Sequence, residues 1–235
     1  GELPAFRLKE RGLVGGAEWV HTEVRNGIYF QHLNLGAPTG RGLDGRQLYY
    51  NAFGYKTECW SVSGSTTPTA LGCPNPLTPT IPGTVTSRAL NNAGFGNVLL
   101  ATNSSKGGGD AVTLALAQQP LPGLVWQLAF TRTNAKEVSP LTSSVAFSNW
   151  AARSVFNPNE EVAADSPYLV RERFNGTLTF SRAFFGDYKT TFGVTYEGRR
   201  GKPYSWTYYN DLNGDGSAGN DLLYIPSAQG SGEVV

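Results

Sequence analysis

The sequence predicts an all-β protein of antiparallel strands, and three observations lead there. Apolar and polar residues alternate with period two over several long stretches. Of the 235 residues, 29 are Gly and 14 are Pro, which suits turns and loops and leaves little room for long helices. No uninterrupted apolar run exceeds four residues, so the chain encodes no helix of the apolar length that crosses a bilayer. There is no sustained heptad, no long repeat and no single-sign charge run. Charged residues are 16% and the net charge is +1, so the basic field that marks nucleic-acid binding is missing. Met is absent and the chain opens abruptly on Gly1-Glu2-Leu3-Pro4, which reads as a piece of a longer protein. An all-β fold remains, either soluble or membrane-spanning.

Taken in order, the alternation predicts five strands. The first spans 14–32, where Val20, Val24, Ile28 and Phe30 oppose His21, Glu23, Arg25 and Gln31, with Glu18 interrupting. The second, 110–118, puts Val112, Leu114 and Leu116 on one face and small residues on the other. After the turn Pro120-Leu121-Pro122-Gly123, the third spans 124–136, with Leu124, Trp126, Leu128 and Phe130 against Val125, Gln127, Ala129 and Thr131. The fourth, 168–182, sets Tyr168, Val170, Phe174, Leu178 and Phe180 against Arg171, Arg173, Asn175, Thr177, Thr179 and Ser181. A second turn, Ala183-Phe184-Phe185-Gly186, leads into 187–200, where Tyr188, Thr190, Phe192, Val194 and Tyr196 alternate with Lys189, Thr191, Gly193, Thr195 and Glu197. These strands run to about 9–19 residues, against a usual mean of about 5–6.

The remaining stretches, 34–109, 137–167 and from 209 onward, read as long loops. Short turns alternating with long loops place every long loop at one edge of the sheet. That is the wiring of a transmembrane β-barrel of the outer-membrane kind, with short periplasmic turns and long extracellular loops. Aromatic residues concentrate at the strand ends: Phe180, Phe184, Phe185 and Tyr188 near one turn, and Tyr196, Tyr204, Trp206 and Tyr208 at the far end. They read as two interfacial girdles. A soluble antiparallel sandwich with an aromatic core is the competing architecture.

Longer motifs carry a family resemblance. Leu141-Thr142-Ser143-Ser144-Val145-Ala146-Phe147-Ser148-Asn149-Trp150 and Phe156-Asn157-Pro158-Asn159 are the first of them. Tyr196-Glu197-Gly198-Arg199, Gly201-Lys202-Pro203-Tyr204-Ser205-Trp206 and Asp211-Leu212-Asn213-Gly214-Asp215-Gly216 follow, and Asn220-Asp221-Leu222-Leu223-Tyr224-Ile225-Pro226 is the last. Together they resemble the barrel region of TonB-dependent outer-membrane receptors of the Oar-like type. Asn34-Leu35-Gly36 and Asp44-Gly45-Arg46-Gln47 fit the same family more loosely. The resemblance implies a segment of a barrel of about 22 strands in the bacterial cell outer membrane. It also implies an N-terminal plug domain in the parent chain, a TonB complex as energy source and an external ligand of unknown identity. This chain lacks a candidate plug or TonB box, so 1–235 reads as part of the barrel domain, and transport belongs to the parent. A surface adhesin or structural barrel without transport is the alternative; a soluble carbohydrate-binding sandwich is a third reading.

Asp211, Asn213 and Asp215 followed by Gly216 have the spacing that opens a calcium loop, with Asp221 as an additional oxygen ligand. The twelfth position is Leu222, where an EF-hand carries a bidentate Glu, and the competing reading is a turn that caps its own backbone. Calcium is the one cofactor the pattern suggests. Cys59 and Cys73 are the only cysteines. Without further Cys or His nearby they read as a disulfide formed in an oxidising compartment, the alternative being two free thiols. His21 and His32 lack a nucleophile elbow, and Gly107-Gly108-Gly109 lacks the Lys-Ser/Thr of a phosphate loop, so no enzyme is predicted. Gly107-Gly108-Gly109 reads instead as a flexible lead into a strand. Arg171, Arg173, Lys189, Glu197 and Arg199 are expected to face the barrel interior, none of them as a named ligand.

Overall fold

The computed structural model describes residues 6–8, 12–52, 54–56 and 90–228. The strands are β1 (Phe6–Leu8), β2 (Leu13–Glu23), β3 (Gly27–His32), β4 (Gly40–Arg41), β5 (Gln47–Leu48), β6 (Leu99–Ser104), β7 (Gly107–Leu121), β8 (Leu124–Glu137), β9 (Ala164–Asp165), β10 (Glu172–Phe185) and β11 (Tyr188–Arg199). One short helix, α1 (Ala146–Ala151), accompanies them among the described residues. The protein is therefore mostly antiparallel β-sheet, as the alternation predicts. The chain groups into two compact units. A sheet unit holds Gly1–Arg25, Ser105–Val138 and Ala163–Tyr204, and a loop unit holds Asn26–Ser104, Ser139–Val162 and Ser205–Val235.

The sheet unit is one seven-stranded sheet in the order β1-β2-β7-β8-β10-β11, with β9 paired to the end of β8. All its pairings are antiparallel. Register converts the period-two pattern into two chemically distinct faces. One row across the sheet reads Ala17, Leu114, Phe130, Phe174; the next reads Gly15, Leu116, Leu128, Gly176, Tyr196; another reads Trp126, Leu178, Val194. On the other face the rows are Glu18, Thr113, Thr131, Arg173, Arg199 and Gly16, Ala115, Ala129, Asn175, Glu197. Thr113 and Thr131 hydroxyls lie 3.0 Å apart, and Ser181 and Thr191 hydroxyls 2.7 Å apart, as cross-strand polar pairs.

Several boundaries differ from the sequence expectation. The 14–32 stretch is two strands: β2 joins β7, and β3 joins β6 in the other unit. The break falls at Asn26, whose pairing with Gly27 is a turn signal that the apolar count overrode. Within β2 the face is also out of phase with the expectation. Trp19 pairs with Val112 and Ala17 with Leu114, so the odd positions, not Val20, continue the apolar face. The 34–109 stretch is not all loop, because β6 and the start of β7 lie inside it. The 168–182 strand is displaced to β10, with 168–171 outside it and Phe184 and Phe185 within it. Gly107-Gly108-Gly109 does not precede a strand but belongs to β7, paired with Glu137, Lys136 and Ala135. A Cβ at Gly108 would sit 2.7 Å from the Thr22 carbonyl oxygen, so glycine is what lets the β2 backbone approach there.

The loop unit is built differently. β3 and β6 form one antiparallel pair and β4 and β5 another. Leu35, Tyr49 and Trp150 form its buried apolar cluster, joined by Phe30, Leu99 and Phe147. Asparagine side chains stitch the irregular backbone onto this cluster. Asn159 Oδ1 accepts from His32 N at 2.7 Å and from Trp150 Nε1 at 2.9 Å, while its Nδ2 donates to His32 O at 3.1 Å. Asn34 Nδ2 donates to the carbonyls of Asn92, Phe95 and Gly96 at 2.8–3.0 Å. Asn149 exchanges two hydrogen bonds with the Ser143 backbone at the start of α1. The 137–167 stretch thus holds a helix and a short strand where the sequence predicts loop.

Candidate functional site

Four of the separated sequence motifs meet in the loop unit around one buried cation. Arg46, 1% exposed, is preceded by Asp44, whose Oδ2 accepts from Arg46 Nε at 2.7 Å. Arg46 Nη1 donates to Asp221 Oδ1 at 3.2 Å, and Nη2 donates to the Leu222 carbonyl at 2.6 Å. Its guanidinium lies 5.1 Å from the Phe156 ring centre and 5.3 Å from that of Tyr208. Asn157, beside Phe156, accepts from Gln47 N at 2.8 Å. A cation held between two carboxylates and two ring faces satisfies the requirement that a buried charge be paired.

The Asp211–Asp221 loop packs against this centre. Asn213, Asp215 and Asp221 are fully buried and Asp211 is 8% exposed. Asp211 Oδ1 accepts from Gly214 N at 2.7 Å and Asp215 N at 3.2 Å, and its Oδ2 accepts from Gly216 N at 2.9 Å. Asp215 Oδ1 accepts from Ser217 N at 2.7 Å, and its Oδ2 faces the side-chain amides of Asn213 and Asn220 at 3.4 Å each. Asp221 Oδ2 caps Leu212 N at 2.8 Å. Tyr50 donates its hydroxyl to the Asp211 carbonyl at 2.7 Å, and its ring lies where a Cβ on Gly214 would be, 2.6 Å away, at φ +76°. Glycine is required there on both counts.

Burial, and after it the charge of Asp215, pushes the Asp211 carboxyl up to about 8. Burial pushes Asp215 up to about 6 against the opposing Ser217 N–H, and raises Asp221 despite Leu212 N–H and Arg46. Burial, followed by Asp211, Asp221 and Asp215, lifts the Tyr50 phenol far above its usual value. Crowded carboxylates removed from water prefer to hold protons or a cation. A cavity of about 530 Å³ opens beside Arg46, lined among others by Leu43, Leu48, Tyr50, Tyr55, Tyr208 and Tyr224.

The four oxygen residues expected to bind calcium are therefore brought together, but in unequal roles. Asp211, Asn213 and Asp215 curl around one loop, whereas Asp221 is engaged by Arg46 and the Leu212 amide. Among the described residues, no group of three or more His, Cys, Asp or Glu side chains is placed to hold a metal ion. Cys59 and Cys73 lie outside the described residues. Arg46 and Asn220 were not predicted as site residues. Arg46 stands 175 positions from its partner Asp221, and no local pattern announces such a pairing.

Apart from His32, which lies in the loop unit, the other predicted polar residues fall in the sheet unit. Glu197 pairs with Arg173 at 3.2 Å and stands 4.0 Å from Arg199 on the polar face. Arg171 pairs with Asp165, and Lys189 is exposed. His21 Nδ1 lies 2.8 Å from Asp110, which also accepts from Trp19 Nε1 at 3.1 Å. His32 is buried against Trp150 with ring centres 5.1 Å apart. The chain matches no protein-family model, no curated protein and no solved structure.

Proposed function

We propose that this chain is a wall segment of a TonB-dependent outer-membrane receptor and serves transport and not catalysis. In this reading, the parent protein captures an external ligand with its loops and imports it through a plug driven by the TonB complex. The observation that carries the membrane part is the banding of the sheet face. On β10 the apolar face shows Phe174, Gly176, Leu178 and Phe180 between two charged residues, Glu172 and Arg182. Ten residues at the usual strand rise measure about 33 Å. A strand tilt of about 35–45° brings that close to the apolar band of about 25 Å expected for an outer-membrane wall. Leu114, Phe192, Val194 and Tyr196 are all more than half exposed on this face, as lipid-facing residues would be. A water-soluble sandwich would cover them with a second sheet.

The family assignment within outer-membrane proteins rests on the motif resemblance. The test is made in the full-length protein. Phe192→Arg should block outer-membrane assembly, read as loss of the heat-modifiable folded band, while Thr191→Arg on the neighbouring, opposite-facing position should assemble. Equal tolerance of the two would overturn the membrane reading. Ligand uptake that stops when TonB is deleted would support transport. Normal assembly with TonB-independent surface binding would decide for an adhesin.

A further inference from the structure

Three carboxyl groups of the DxNxDG loop and its end, Asp211, Asp215 and Asp221, are buried, and Arg46 reaches Asp221. Arg46 is committed to Asp44 and Asp221. Asp211 is held by three backbone N–H groups and meets no cation among the described residues. A second observation concerns Asn220, which is 3% exposed. Its Nδ2 reaches Asp215 Oδ2 at 3.4 Å, and its Oδ1 is buried with no hydrogen-bond partner. A desolvated side-chain carbonyl oxygen with no donor to accept from calls for a positive partner. Carboxylate and amide oxygens from alternate positions of a curled loop are the donors a hard divalent cation takes.

We propose that the loop binds calcium through Asp211, Asn213, Asp215 and Asn220, with Asp221 serving as the counter-ion of Arg46 and not as a ligand. Two carboxylates and two amides form a weakly charged set, consistent with the lack of three convergent carboxylates or imidazoles among the described residues. Leu222 stands where a bidentate Glu would strengthen an EF-hand. The affinity should fall in the extracellular range, with a dissociation constant of about 10⁻⁴–10⁻³ M. Magnesium, which demands a strict octahedron and keeps its water, should compete poorly. The inference does not depend on the membrane reading: calcium binding by a protein that fails to enter the outer membrane would leave it standing.

The test uses the full-length protein and terbium as a luminescent calcium substitute, with Tyr50, packed against Gly214, as the sensitiser. Terbium emission should appear, be displaced by calcium in the millimolar range, and resist equal magnesium. Calcium should also slow proteolysis within 213–219 several-fold. Asp215→Asn keeps an acceptor for Ser217 N and should lower calcium affinity several-fold or more, because it removes one of the two ligand charges. If that variant does not fold, displacement of terbium by calcium in the natural protein decides alone. Emission that calcium fails to displace at roughly tenfold above the expected dissociation constant, or equal affinity in folded Asp215→Asn, would overturn the proposal.

Discussion

Strand β11 exposes Phe192, Val194 and Tyr196, whereas the loop from Asp211 to Asp221 buries Asn213, Asp215 and Asp221 completely. The two units distribute polarity in opposite ways. In the sheet unit, rings and aliphatics on one face meet no covering layer from their own strands, and backbone pairing with cross-strand contacts supplies the order. In the loop unit, irregular backbone is held by asparagine and aspartate side chains around a buried arginine. Among the described residues the buried carboxylates are Asp211, Asp215 and Asp221, all in the loop unit. The sheet therefore depends on what medium meets its apolar face, and the loop unit on whether its internal charges stay matched.

The largest test of this contrast is Arg46→Met. Removing the cation leaves Asp221 and Asp44 without their shared partner, and loss of one partner of a buried pair costs about 3–5 kcal/mol. Chemical denaturation should show that loss, with Arg46→Met combined with Asp221→Leu recovering part of it; a change under about 1 kcal/mol would mean the pair is idle. Next, on the proposed outer-membrane reading, Leu128→Arg should weaken the protein by about 2–4 kcal/mol, and Thr177→Arg by much less, measured by denaturant unfolding in lipid vesicles. Equal effects would erase the distinction between the two faces.

Asn159→Ala removes the shared acceptor of His32 N and Trp150 Nε1 and should cost about 1–3 kcal/mol for the stranded groups. Hydrogen exchange at His32 should accelerate correspondingly. The pH response should also separate the units. Asp211 and Asp215 have folded-state values raised to about 8 and 6. Their contribution is fully present below the ordinary carboxylate range and is lost as pH rises through 6 to 8. In chelator, proteolysis of the loop should therefore speed up from pH 5 to pH 8.5, while protection at β7 and β8 stays level. A loop that grows more resistant over that span would refute the charge argument. The smallest effect is Glu197→Gln, which breaks half-exposed ion pairs to Arg173 and Arg199 and should change stability by less than about 1 kcal/mol.

The sequence alone determined the class of structure and much of its polarity. Alternation is a local property, so Leu124 to Phe130 and Phe192 to Tyr196 reveal their common face before any partner is known. The glycines marked both turns, but their bounds shifted: β7 runs on to Leu121 within the turn expected at 120–123, and β10 runs on to Phe185 through most of the turn expected at 183–186. Tertiary structure decided the phase of β2, because Trp19 and Val20 are both apolar and only pairing with Val112 selects between them. It also separated β3 from β2 and gave it to β6, a partner some 70 residues onward whose pairing, Gly27 with Ser104, has no periodic signature of its own. At the candidate site, the spacing of Asp211, Asn213 and Asp215 marked a cluster of oxygens. Pairing across 175 residues then gave Asp221 a partner in Arg46. Side-chain period is set by the backbone one residue at a time, but charge pairing in a low-dielectric interior depends on distances that only the folded chain brings within reach.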